Sequence, residues 1–253
     1  MDILKNRTAL VTGATSGIGR AVALAFAAEG AHVAVAGRHP ERGRDTVAAI
    51  EDSGGRATFV PADLGLSVDA VRKLASDATE ALGHVDILVN NAGIFPSPST
   101  ADTAEHEFDA IIAVNVRAPF FLVQELAPAM AARRNGVIIN LGSWVSTVGL
   151  VAGGLYSASK ATVEQLTRSW AAEFGPSGVR VNSIAPGITR TEGNEGPNAE
   201  FLDTWAGTFP AGRLGEPHEV AAAAVWLASD AAAYVHGTTL LVDGGALSTR
   251  VAG

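Results

Sequence analysis

Thr8-Ala9-Leu10-Val11-Thr12-Gly13-Ala14-Thr15-Ser16-Gly17-Ile18-Gly19 runs directly into the alanine-rich stretch Arg20 to Glu29. The first five residues read as a short strand, the last ten as a helix, and three glycines lie between them. Strand, glycine turn and helix, in that order, form the setting in which a phosphate loop is credible. Glycines let the backbone approach a pyrophosphate closely. The helix N-terminus behind them offers free N–H groups and the positive end of a dipole. The spacing is G-x3-G-x-G, not the G-x-G-x-x-G of the commonest dinucleotide fingerprint. An ordinary tight strand-to-helix turn would need one glycine. It accounts poorly for three, flanked by Thr12, Thr15 and Ser16.

Outward from this turn the alternation repeats. Strand patterns cover His32–Ala36, Ala57–Pro61, Val85–Asn90, Val137–Leu141, Val179–Ile184 and Thr238–Val242. Helical patterns cover Pro40–Ser53, Val68–Leu82, Gly154–Phe174 and Pro217–Ser229, and Thr103–Arg134 reads as one helix or two, interrupted at Pro119. Seven strands alternating with helices predict the α/β class: one doubly wound parallel sheet with right-handed crossovers, in a single domain spanning residues 1–253. The segment 190–212 is rich in Gly, Pro, Asn and Glu, yet Phe201, Leu202, Trp205 and Phe209 recur in it at helical spacing. It reads as a substrate lid carrying a short amphipathic helix. A helix packed permanently on the body or on a second subunit fits the same pattern.

Composition narrows the function. The 253 residues are 47% hydrophobic and 17% charged, with a net charge of −8, which suits a compact globular chain. Lys and Arg are few and scattered, so no nucleic-acid surface is expected. There is no cysteine, which excludes disulfides, thiolate catalysis and cysteine-based metal sites. No His/Asp/Glu cluster suggests a metal. No signal-peptide pattern opens the chain and no uncharged apolar run reaches the ~18 residues of a membrane span, so a soluble cytoplasmic protein without a membrane partner is expected.

Several side chains carry chemistry. Tyr156 and Lys160 are four apart on a helix and share a face. A free tyrosine has a pKa of about 10, and a cation within a few ångströms lowers it, so the pair could be a tuned acid/base. Ser143 leaves the C-terminal end of the fifth strand, the edge at which ligands bind in open α/β sheets. Asn90-Asn91-Ala92-Gly93 leaves the fourth strand at the same edge, where small residues admit a flat ring and the amides can tie strands together. Asn115, mid-helix, is either a buried structural amide or part of a proton path. Asp63 ends the third strand, as an adenine acceptor or a turn aspartate. The second strand ends at Gly37 with Arg38 and His39 next. No carboxylate stands there for an NAD ribose, and a guanidinium suited to the 2′-phosphate of NADP does. A solvated loop arginine is the alternative.

The ordered combination Thr12-Gly13-x3-Gly17-Ile18-Gly19, Asn90-Asn91-Ala92-Gly93, Asn115, Ser143, Tyr156-x3-Lys160 and Pro186-Gly187 resembles the classical short-chain dehydrogenases/reductases, including 3-oxoacyl-ACP reductase-like ketoreductases. The resemblance runs from near residue 7 to near residue 245 and implies a three-layer Rossmann fold. It implies that Gly13, Gly17 and Gly19 form the pyrophosphate turn, lined by Thr15, Ser16 and Ile18. Asp63 and Leu64 would lie beside the adenine, and Asn91, Ala92 and Gly93 would back the adenosine. Ile188, Thr189 and Thr191, after Pro186-Gly187, would hold the nicotinamide carboxamide. Tyr156 would be the general acid/base and Lys160 would lower its pKa and bind the nicotinamide ribose. Ser143 would polarise the carbonyl, and Asn115 would hold a water linking Lys160 to solvent. The cofactor implied is NADP(H) in preference to NAD(H), since members with a basic residue after the second strand tend to use it, although Ser16 stands where some carry a second basic residue. A small carbonyl or alcohol substrate and a homotetramer are further implications.

Ile94, Phe95, Trp144, Leu150, Trp205 and Phe209 suggest an apolar or aromatic substrate pocket. Two other readings compete with hydride transfer to a ketone. A catalytically silent nucleotide sensor on the same fold would usually lack the tyrosine or lysine. A sugar-nucleotide epimerase or dehydratase of the extended family would carry a longer substrate domain and another glycine spacing.

Overall fold

The structure, a computed structural model, describes residues 2–96, 98–149, 151, 153–192 and 199–249. Seven parallel strands form one sheet: β1 (Thr8–Thr12), β2 (His32–Gly37), β3 (Arg56–Pro61), β4 (Ile87–Asn90), β5 (Gly136–Leu141), β6 (Val179–Pro186) and β7 (Thr239–Val242). Their order is β3-β2-β1-β4-β5-β6-β7. The chain first winds outward from β1, then crosses back to lay β4 against its other edge. The direction of winding thus reverses between β1 and β4, and a crevice opens beyond their carboxyl ends.

Both faces of the sheet are covered, which is why β1, β4 and β5 are buried end to end and read as apolar runs. Alternate residues serve opposite cores. Ala9 and Val11 of β1 point to one core, with Val22 and Phe26 of α1 (Gly17–Ala28), Ile50 of α2 (Pro40–Asp52) and Leu227 of α8 (Pro217–Ala228). Leu10 points to the other, with Leu74 of α3 (Val68–Leu82), Leu122 and Met130 of α5 (Ala118–Ala132) and Trp170 of α6 (Gly154–Phe174). The remaining helices are α4 (Glu105–Ile112) and α7 (Ala199–Ala206).

The element boundaries differ from the sequence expectation in instructive places. α1 begins at Gly17, not Arg20, because the last glycines of the turn already form its first turn. β6 runs two residues further than expected, since Ala185 and Pro186 still pair with Leu241 and Val242 of β7. Pro119 does not interrupt its helix. A π turn, Ala113–Arg117, joins α4 to α5 just before it, and the looser turn accommodates the N–H that proline lacks. The resulting rod, Glu105–Ala132, is long and apolar enough to cross a membrane by length and composition, but half of its apolar window is buried in the fold. Its apolar side is the core contact of α5. The amphipathic helix expected inside 190–212 is α7; residues 193–198 of that segment lie outside the described residues.

Candidate active site

The carboxyl ends of the strands surround a cleft of about 570 Å³. The residues expected from the sequence at a nucleotide, namely Gly13, Thr15–Gly19, Arg38, His39, Asp63, Leu64, Asn91–Gly93, Pro186–Thr189 and Thr191, all line it. The glycine turn is held from below. Thr12 Oγ1 accepts from the N–H groups of Asn91 and Ala92, each at 3.0 Å, and Asn91 Nδ2 donates to the Thr12 carbonyl at 2.8 Å. Gly13 has φ +64°, and a Cβ there would lie 2.9 Å from the Ala92 Cα. A Cβ on Gly19 would lie 2.3 Å from the Gly13 carbonyl oxygen. The backbone at this turn therefore packs as closely as a pyrophosphate cradle requires. Asn91 acts here through its backbone position, its side chain being occupied in tying β1 to β4. Likewise Asn90 Nδ2 donates to Asn140 Oδ1 at 2.9 Å, linking β4 to β5.

An acidic group occupies the expected phosphate position. Gly17 N–H, at the start of α1, donates to Glu192 Oε2 at 3.1 Å. At the adenosine end, Arg42 lines the cleft beside Arg38 and His39. Arg42 was not expected from the sequence, where it reads as a solvated residue in the first turn of α2. Asp63 lines the cleft while its Oδ1 accepts from Gly65 N–H at 3.0 Å, so the turn role and a place in the cleft coexist.

At the other end, Tyr156 and Lys160 stand one turn apart on α6, with Lys160 Nζ 5.7 Å from the Tyr156 ring centroid. Ser143, at the end of β5, lines the same part of the cleft, and its hydroxyl acts on the Tyr156 phenol. Lys160 is buried and donates to the Leu141 carbonyl at 2.8 Å. Burial raises the phenol's pKa above the ordinary tyrosine value, with the Ser143 hydroxyl opposing. Lys160 itself is lowered to about 8 by burial, against the opposing charge of Glu164. Lys160 nonetheless stays mostly protonated at neutral pH.

Asn115 is 1% exposed, in the π turn. Its Nδ2 donates to the Ile94 carbonyl at 2.9 Å and to Ser159 Oγ at 3.1 Å, and its Oδ1 accepts from Ile94 N–H at 2.9 Å. The amide clamps the loop after Gly93, so the structural role expected for it is the one its side chain performs. Glu164, one turn beyond Lys160, was missed by the sequence reading.

The substrate side of the cleft is walled by Ile94, Phe95, Trp144, Val145 and Leu202. Phe95 meets Tyr156 edge-on, with centroids 6.5 Å apart. Trp205 and Phe209 are not on this wall. They pack behind Trp144, at centroid distances of 5.3 and 5.7 Å, Trp205 from the face of α7 that turns toward the body and Phe209 from the turn after it. Leu202 takes the place assigned to them. Leu150 lies outside the described residues. Among the described residues no group of three or more His, Cys, Asp or Glu could hold a metal.

A parallel sheet with its cleft at the reversal of winding, a glycine turn at one end and a serine–tyrosine hydroxyl pair at the other, is the architecture of a Rossmann-fold oxidoreductase. Residues 13–246 match a family model described as "Enoyl-(Acyl carrier protein) reductase". The chain is 44% identical over 252 residues to 3beta-hydroxysteroid dehydrogenase 1 of Eggerthella lenta, covering 96% of this chain and 95% of that protein. It is 37% identical over 244 residues to the 3-oxoacyl-[acyl-carrier-protein] reductase of Thermotoga maritima, covering 96% and 98%. A crystal structure of a short-chain dehydrogenase from Burkholderia cenocepacia in complex with NADP superposes with a TM-score of 0.87 at 36% identity, covering 96% of this chain and 98% of that one. The chain belongs to the short-chain dehydrogenase/reductase family.

Proposed function

We propose that the protein transfers hydride between NADP(H) and a ketone or secondary alcohol, with Tyr156 as general acid/base. The observation that carries this reading is the Ser143 and Tyr156 hydroxyls, backed by buried Lys160, in one cleft with the close-packed glycine turn. The cradle at Gly13 and Gly19 fits a pyrophosphate, and the loop Pro186–Thr191 reaches the catalytic end, where Ile188, Thr189 and Thr191 would hold a carboxamide. Bound there, the nicotinamide supplies or accepts the hydride at the carbonyl carbon.

The protein's own groups handle the proton. A carbonyl oxygen placed between Ser143 and Tyr156 receives two hydroxyl donors. As negative charge develops on that oxygen, both bonds strengthen, so the site stabilises the transition state more than the ground state. Tyr156 passes its proton to the oxygen, and alcohol oxidation reverses the transfer. Burial holds the phenol protonated, which suits the acid of a reduction. Lys160 supplies the positive charge that stabilises the phenolate left behind. The side-chain amide of Asn115 being occupied, any relay water would bind its main-chain carbonyl.

Arg38 and Arg42 support NADP(H) over NAD(H), two guanidiniums at the adenosine end suiting a 2′-phosphate. The apolar wall supports a bulky ketone or secondary alcohol lacking strong charge. The arginines near the lid favour no acidic substrate, since Arg190 pairs with Asp203 and Glu216, and Arg213 with Glu219. Within segment 190–212, α7 would cover this wall as a lid, and a homotetramer would cover the half-exposed Phe108 and Phe120. The test is Tyr156→Phe. Ketone reduction monitored by NADPH absorbance is expected to fall by about 10²-fold or more, with NADPH affinity by fluorescence titration changing little. Turnover that survives the substitution refutes the assignment.

A further inference from the structure

Glu164 is a buried carboxylate that the chemistry above does not use. It lies one turn after Lys160 on α6, as Lys160 lies one turn after Tyr156, so the three side chains share a face. Glu164 is 5% exposed. A carboxylate is removed from water only where partners compensate, and those of Glu164 are specific. Its Oε1 accepts from the Ser143 backbone N–H at 3.2 Å and from the Ser146 hydroxyl at 2.8 Å. Its charge acts on Lys160. Gly142 makes the approach possible, since a Cβ there would lie 2.3 Å from Glu164 Oε1. One carboxylate thus pins the loop that carries Ser143 to the helix that carries Tyr156 and Lys160.

We infer that Glu164 is a positioning residue for the reaction, holding the Ser143 hydroxyl in register with the Tyr156 phenol. This rests on the function proposed above. Ser143 leaves the end of β5 in extended conformation, with its own Oγ no closer than 3.5 Å to the nearest loop N–H, that of Val145. That contact is too long to fix the hydroxyl. The backbone bond to Glu164 fixes its base instead. Among the described residues, the titratable groups facing Lys160 are Tyr156 and Glu164, both on α6. From β5 it meets the Leu141 carbonyl, and beyond Gly93 the neutral amide of Asn115.

Three variants test the inference. Glu164→Gln keeps an acceptor oxygen and removes the charge. Its kcat is expected to fall less than about tenfold, with the alkaline limb of the pH profile moved to lower pH and the KM for NADPH nearly unchanged. Glu164→Ala removes the acceptor as well. Its kcat is expected to fall by about 10²-fold, and hydrogen exchange in 142–147 to accelerate. Gly142→Ala drives a methyl against the carboxylate and should reproduce the loss, adding nothing to Glu164→Ala in the double variant. If Glu164→Ala fails to fold, the Gln and Gly142 variants carry the test. Wild-type kcat and exchange in Glu164→Ala, or a Gln variant as impaired as Ala with an unmoved pH profile, overturns the inference. A wild-type protein that reduces no ketone with NADPH refutes the function, while exchange in 142–147 still reports on the link to Ser143.

Discussion

Arg38, in the loop after β2, and Arg42, in the first turn of α2, stand at the adenosine end of the cleft, both exposed. Charge-assisted bonds to a phosphate contribute more than neutral ones. Arg38→Ala is therefore expected to lower kcat/KM for NADPH roughly tenfold or more while leaving NADH nearly unaffected, and Arg42→Ala to shift the ratio the same way by less. Kinetics with both cofactors check this, and a ratio unmoved by either substitution would sink the preference. Lys160 gives a second expectation. Its pKa is lowered to about 8, so it loses its proton as pH rises through that value and kcat/KM for reduction falls with it. A profile flat up to about pH 10, where free tyrosine titrates, would show that its charge is not needed. Tyr156, Lys160 and Ser143 were legible because each belongs to a spacing or a strand end. Glu164 was not, because a charge within a helix ordinarily reads as a solvated face. Only the return of the β5 loop over α6 buries it. Leu202 was passed over for Trp205 because ring size says nothing about which face of α7 meets the cleft.

Among the elements, the start of the lid segment has the clearest consequence. Glu192 places a carboxylate oxygen on the Gly17 N–H, where the helix dipole would otherwise favour a phosphate. The two anions compete for one donor. Glu192→Gln is expected to tighten NADPH binding by about two- to fivefold, measured by calorimetry at low salt, and weaker binding would show that the carboxylate helps to retain the cofactor. The helix through Asn115 teaches a related lesson. The sequence places Pro119 in a helical pattern without saying how the chain will accommodate it. The answer is a π turn at Ala113–Arg117, and its Asn115 amide grips Ile94, a contact made across the fold. The glycine turn was legible because its requirements are local: Gly13 and Gly17 adopt positive φ within a few residues of the strand they follow.

For the whole molecule, the outer face of α4 and α5 leaves Phe108 at 48% and Phe120 at 42% exposure, with Phe120 tilted against Trp170 of α6. Apolar rings at this exposure on adjoining helices suit contact between copies of the chain. Phe120→Asp is expected to shift the proposed tetramer toward smaller species in light scattering, and a monomeric wild type would overturn that proposal. The strand order carries another consequence. β1 pairs with β2 soon after both are made, but its other edge waits for β4, which follows α1, β2, α2, β3 and α3 in the chain. Such distant pairing is slow, and it leaves an apolar strand edge open meanwhile. The floor beneath Gly13, built from Asn91 and Ala92, forms only when β4 docks. Nucleotide affinity therefore arises late in folding, and by mass action a dinucleotide stabilises the completed sheet but gives no shelter to the half-built one.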